Sequence, residues 1–138
     1  MFAVEKLEAV REDGKVLFFK LIKDNVCWFD KFYEEQMKDP KYASELRSIL
    51  TTMDFMAETN LMLPSTKFNS IKQGKKVIGH EFKKNELRVY CIKPNSNVVV
   101  VFGGYKKKQV KDIKRLTAIV EEVKEVIGDL INEKMNML

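Results

Sequence analysis

Arg88 is the residue of this chain best suited to chemistry on an anion. Lysines stand on both sides of it, Lys83 and Lys84 before, Lys106, Lys107 and Lys108 after. A guanidinium is planar and holds two phosphate oxygens at once, and nearby ammonium groups take up negative charge that builds during a reaction. Lys111, Lys114 and Arg115 extend the run, giving six basic residues within ten positions. That exceeds what solubility requires and describes a basic contact surface. Tyr90 and Tyr105 offer rings on which a base can stack. His80 is the only histidine, hence the only side chain that ordinarily changes charge near neutral pH. Each residue also has a plainer reading. Arg88 pairs with Glu81 across a hairpin and fixes its register. His80 packs in the core. Lys106–Lys108 are the solvated entry to a helix, and Tyr105 is a hydrophobic staple.

The stretch from Val77 to Lys111 must position these groups. Three apolar segments of strand length are separated by Lys84-Asn85 and by Pro94-Asn95-Ser96-Asn97. Turn residues between such segments predict a three-stranded antiparallel meander. With Lys84-Asn85 as a two-residue turn, Phe82 faces Leu87 and Glu81 faces Arg88, apolar to apolar and acid to base. With Asn95-Ser96 at the next tip, Cys91 faces Val100, Val89 faces Phe102 and Arg88 faces Gly103. The period of two puts Phe82, Leu87, Val89, Cys91, Val100 and Phe102 on the core face, with Ile78 and His80. Glu81, Arg88, Tyr90 and Gly103 take the other face, where a residue without a side chain leaves room beside Arg88 for a backbone or a phosphate. Val98 to Phe102 is apolar without a break and is the most buried strand.

Upstream, Ala3–Val10 reads as a strand, Arg11–Gly14 as a turn and Val16–Ile22 as a second strand. Asp24 or Asn25 caps a helix to about Lys38, with Val26, Phe29, Phe32 and Tyr33 as its apolar stripe. Asp39-Pro40 opens a second helix to about Glu58, an N-cap followed by proline at the first helical position. A loop surrounds Pro64, and a last helix runs from about Val110 to Lys134. Helices grouped between strands argue for α+β: an antiparallel sheet made of an N-terminal strand or hairpin and the C-terminal meander, two helices between, and a long C-terminal helix. The two middle helices pack on one sheet face. The other face, bearing Arg88, stays open.

A chain of 138 residues supports one domain, 1–138, with residues 1–14 as an N-terminal extension. A formal charge of +5 and a pI of about 9.1 point to an acidic partner. The start is too charged for a signal peptide, and no apolar run reaches membrane-span length, which places the protein in the cytoplasm away from membranes. Cys27 and Cys91 lack metal-ligand spacing and read as buried thiols of a reducing compartment. Nothing implies a metal or a cofactor, and Gly103-Gly104 is too short for a phosphate-binding fingerprint.

The pattern E-F-K (81–83), L-R-V-Y (87–90) and V-V-V-V-F-G-G-Y-K-K-K-Q (98–109) resembles the RelE/HigB group of the RelE/ParE superfamily of bacterial toxins. The order of elements resembles that superfamily too. The resemblance implies a toxin neutralised by a cognate antitoxin, and metal-independent cleavage of translated mRNA at the ribosome. Such cleavage sets a 2′-hydroxyl against the adjacent phosphate, with a base, cations for the extra charge, and an acid for the leaving oxygen. It implies catalytic work by Arg88, Lys83, Tyr105 and Lys107, and RNA contacts by Lys84, Tyr90, Lys106, Lys108, Lys111 and Arg115. The chain departs from the pattern at three points. Gly79 and Glu81 stand where the RNA-cleaving branch carries lysines, no proline follows the lysine run, and the final helix is long. Two alternatives follow: a gyrase-binding toxin without catalysis, or a non-enzymatic nucleic-acid-binding regulatory domain on the same scaffold.

Overall fold

Val98 to Val101 are four consecutive valines without exposed surface. A strand apolar at every position needs cover on both faces of its sheet, and this one has it. The computed structural model describes residues 1–137. In chain order these form β1 (Phe2–Lys6), β2 (Phe18–Lys23), α1 (Trp28–Gln36), α2 (Pro40–Thr59), β3 (Phe68–Gln73), β4 (Lys76–Lys84), β5 (Leu87–Ile92), β6 (Val98–Tyr105), α3 (Gln109–Val123) and α4 (Ile127–Asn136). A 3-10 turn at Lys106–Lys108 joins β6 to α3.

The six strands make one sheet in the order β1-β2-β6-β5-β4-β3. The α+β class and the long helical C-terminus are as expected. The sheet is mixed rather than antiparallel throughout, because β2 runs parallel to β6, with Phe18 beside Val98 and Lys20 beside Val100. A parallel pair needs a long crossover, and the chain from α1 to β5 supplies it.

One sheet face packs Phe18, Phe82, Leu87, Val89, Cys91, Val98 and Val100 against Phe29, Phe32, Leu46, Ile49 and Met53 of α1 and α2. The other packs Phe19, Leu21, Tyr90, Val99, Val101 and Phe102 against Leu116, Ile119, Val123, Ile127 and Ile131 of α3 and α4. The expected open face is therefore covered. A buried aliphatic or aromatic side chain gains about 1.5–3 kcal/mol over an exposed one, which outweighs leaving this apolar face in water.

The local signals explain most boundaries. Asp39 accepts the Lys41 N–H at 2.9 Å, and α2 closes on Asn60 in the left-handed region. α1 begins at Trp28 rather than near Asp24, because Asp24 and Asn25 both have positive φ and form a turn closed by Lys23 and Val26. The last helix is two helices, broken over 124–126. A straight helix of 25 residues spans about 38 Å, whereas an eight-residue strand spans about 27 Å. The break redirects α4 across β1, where Lys134 reaches Glu5 at 3.4 Å.

The N-terminal strand is shorter than expected, but residues 1–14 are well integrated. Val4, Leu7 and Val10 are buried. Lys20 on β2 is 7% exposed, and its ammonium donates to Glu8 at 2.8 Å and to Asp30 at 2.9 and 3.1 Å. This buried cation ties the N-terminal segment to α1. Residues 68–73, between the Pro64 loop and the expected meander, form the edge strand β3. It pairs with β4 across Gly74, whose φ is +64°.

The register differs from expectation at three points. The first hairpin turns on Asn85-Glu86, so Lys84 faces Leu87, Phe82 faces Val89 and Lys83 faces Arg88. A shift of two residues leaves the side chains paired between His80 and Cys91 on their expected faces. In the second hairpin Cys91 faces Val100 as expected, but a bulge then pairs Tyr90 with Phe102 and Arg88 with Gly104. The bulge moves Phe102 off the α1/α2 face and turns Gly103 toward it. Ile78 lies at a similar irregularity between β3 and β4 and also joins the α3/α4 cluster. The space at Gly103 is not open to a ligand, since a Cβ there would overlap the Phe32 ring.

Gly103→Ala is therefore expected to destabilise the protein by about 2 kcal/mol through overpacking. Urea unfolding measures this, and Phe32→Leu in the same chain should restore part of the loss.

Candidate nucleic-acid interface

The register gathers the basic residues at one end of the sheet. Lys84 faces Leu87, and Leu87 faces Tyr105. The Lys106 N–H donates to the Glu86 carbonyl at 2.7 Å, and the Lys83 N–H to the Lys67 carbonyl at 2.9 Å. Lys84 and Lys106 therefore flank β5 about two strand spacings apart, roughly 10 Å. Lys84, Lys106, Lys107, Lys108, Lys111 and Lys114 are exposed, and Lys83 is half-buried. Among the described residues, none of the six cations from Lys106 to Arg115 has a carboxylate within 4.0 Å, although ion pairs form elsewhere on the surface. Asp112 is the only acid in that stretch. It turns inward, its carboxylate against Gly104, where a Cβ would collide with it. The outward side of that stretch is left with one sign of charge, and the exposed Glu86 at the hairpin tip is the acid nearest to it in the fold.

Arg115 lies differently from the lysines. Its guanidinium carbon sits 4.2 Å from the centre of the Phe102 ring and 5.0 Å from that of Trp28. These cation–π contacts fix it at the rim, where Trp28 is half-buried. Partial burial lowers its pKa, opposed by Asp112.

Arg88 is not on the surface. It is 7% exposed, and its Nη1 donates to the carbonyls of Asn85 and Leu87, both at 2.8 Å. Glu81 does not pair with it; the Gln109 amide holds both Glu81 oxygens, at 3.0 and 2.8 Å. The expected exposed arginine is thus enclosed, because α3 covers its face. Tyr90 has no exposed surface, so it presents no ring to a base. Burial raises its pKa, with Asp112 and Glu81 adding to the effect.

Tyr105 lies on the opposite side of the sheet from Arg88. Its hydroxyl exchanges hydrogen bonds with Gln36 at 2.8 and 3.2 Å, and its ring packs on Phe32 and Tyr42. Of the four residues expected to share catalysis, the structure brings Lys83 beside Arg88 and Lys107 to the same sheet end, and it separates Tyr105. His80 stacks on Phe68, with ring centres 5.1 Å apart and planes 4° apart, away from the basic end. Among the described residues no cluster of His, Cys, Asp and Glu could hold a metal ion, and no helix is long and apolar enough to cross a membrane.

The residues that complete this region went unassigned in the sequence. Gln109 clamps Glu81, and Asp112 fills the space over Gly104. Together with Arg88 and Tyr90 they form a polar floor beneath the first turns of α3. Two atoms of that floor, Arg88 Nε and the Tyr90 hydroxyl, are enclosed without a protein hydrogen-bond partner. Each such orphan costs about 1–3 kcal/mol.

No family model matches the chain, and no curated protein and no solved structure matches it.

Removing an orphaned hydroxyl should not destabilise. Tyr90→Phe is expected to leave stability unchanged or raise it by about 1 kcal/mol, read from the urea midpoint; a loss larger than that would mean the hydroxyl has a partner. Burial, aided by repulsion from Lys93, lowers the His80 pKa below the ordinary 6.5. The unfolded chain then binds a proton that the folded one rejects, so this contribution is full above pH 6.5 and is lost as pH falls toward the folded value. His80→Asn should flatten the stability profile over that interval.

Proposed function

We propose that this chain is a RelE/HigB-like toxin of the cytoplasm that binds RNA through the lysine-rich end of its sheet and is neutralised by an acidic antitoxin covering the same surface. The observation that carries the reading is the uncompensated charge from Lys106 to Arg115, with the one local acid turned away. Surface lysines without partners keep their full field in water and attract a polyanion at long range. Lys83 and Lys84 add to that field from the neighbouring hairpin. The motif residues carry the family side of the reading; Arg88, its phosphate anchor for metal-independent cleavage of mRNA on the ribosome, is enclosed and has to be uncovered to act.

The burial of Arg88 favours a second reading, a nucleic-acid-binding regulatory domain that uses the lysine rim alone. Induced expression separates the two. Cuts within translated codons, lost in Arg88→Ala, support the nuclease. Intact mRNA and growth unchanged by Arg88→Ala support the regulatory domain. A gyrase-directed toxin would leave mRNA intact and damage DNA.

RNA binding itself is tested by salt. Replacing Lys106, Lys107 and Lys108 with Gln removes up to three phosphate contacts. The slope of log affinity against log salt for a single-stranded RNA should then shrink by about 2, from about 0.7 per contact. A slope that does not change would remove these lysines from the interface.

A further inference from the structure

The helix over Arg88 is anchored unevenly. Leu116, Ile119 and Val123 are buried against the sheet, and Leu116 fills the space that Gly79 leaves open. The first turns are held more lightly, by the edge of Ile113, by Asp112 over Gly104 and by the Arg115 contacts to Phe102 and Trp28 at the pivot. Val110 is 75% exposed, and Ile113 is half-buried. The segment from Lys106 to Asp112 rests on Glu81, Arg88, Tyr90 and Gly104. Its direct holds are the Gln109–Glu81 hydrogen bonds and the one from the Lys106 N–H to the Glu86 carbonyl. Among the described residues the floor keeps two enclosed polar atoms without protein partners, and Arg88 has no carboxylate within 4.0 Å. Only Nη1 of the buried guanidinium has partners, and admitting water or an anion supplies its other donors, against the Glu81 and Asp112 carboxylates of the same floor. The same segment carries four of the exposed lysines, which repel one another until an anion arrives.

From this asymmetry we infer that Lys106–Asp112 is a hinged cover, pivoting ahead of Leu116, which hides Arg88 when closed and lifts when a polyanion engages its lysines. The inference rests on the RNA-binding reading for its trigger, and on the packing alone for its existence. In the closed state the lysine rim meets RNA but the guanidinium does not. Lifting breaks the Gln109–Glu81 contact and brings Arg88 to the sheet end where Lys83, Lys84 and Lys106 already lie. A polyanion that contacts both layers binds the open state better and shifts the population toward it. Gln109 is then a positioning residue whose amide sets the closed fraction.

The test uses the full chain with Cys27→Ser and a reversible lock, Glu81→Cys with Gln109→Cys. Labelling of Arg88 by phenylglyoxal, followed by mass spectrometry, reads opening without any ligand. Labelling should be about tenfold faster in Gln109→Ala than in wild type, and suppressed in the oxidised lock. Binding of a short oligouridylate should weaken about fivefold on oxidation and recover on reduction. Arg88→Ala should cost affinity in the reduced lock and none in the oxidised one. Equal labelling of Arg88 in all forms, with the oligonucleotide bound equally by all, overturns the cover and leaves the RNA-binding reading standing. Labelling that follows the lock, with no form binding the oligonucleotide, supports the cover and overturns the RNA-binding reading.

Discussion

The burial of β6 on both faces is the constraint on which the rest of this structure depends. A strand of four valines and a phenylalanine has no side it can show to water. α1 and α2 cover one face, and α3 with α4 the other. Three glycines mark where helix side chains come closest to the sheet: Gly103 under Phe32, Gly79 under Leu116 and Gly104 under Asp112. Everything that shares a face with Val99 and Val101 must then lie beneath α3 or α4. Glu81, Arg88 and Tyr90 share that face, so the packing that stabilises the sheet also encloses this polar row.

That outcome was legible in one respect and hidden in another. The unbroken apolar run from Val98 to Phe102 carried the signal for two covered faces. The alternation along the two hairpins pointed instead to one wet face, and the two signals conflict within the same meander. Alternation is read strand by strand, whereas cover is a property of the whole sheet. Asp39-Pro40 was legible because capping is local: the side chain bonds an N–H two residues away. The bulge that moves Phe102 was not, since a bulge exists only as a mismatch between two strands. β3 escaped for a similar reason. Its interior is Asn, Ser, Lys and Gln beside two apolar residues, and it is a strand by pairing with β4 rather than by its own propensity.

The candidate interface divides along the same lines. The lysine cluster was visible as composition, and its exposure follows because lysine side chains stay hydrated at little cost. The enclosure of Arg88 was invisible, because it depends on which turn of α3 crosses β5. Asp112 was the readable clue: one acid inside a basic stretch has a reason to face inward, and the space over Gly104 provides it.

The two kinds of cation therefore sit in different dielectric environments. The exposed ammonium groups act through water, where salt screens them within about 8–10 Å. The Arg88 guanidinium acts in a low-dielectric enclosure, where an attraction is several times stronger and salt does not reach it. A guanidinium tolerates such a place better than an ammonium, being weakly hydrated and able to give several N–H groups to carbonyls, here those of Asn85 and Leu87. In the proposed RNA-binding reading, the outer layer governs encounter and the inner layer governs how tightly a phosphate is held once admitted. Under that reading and the proposed cover, such a protein attracts polyanions broadly and reserves its strong contact for whatever displaces the first turns of α3.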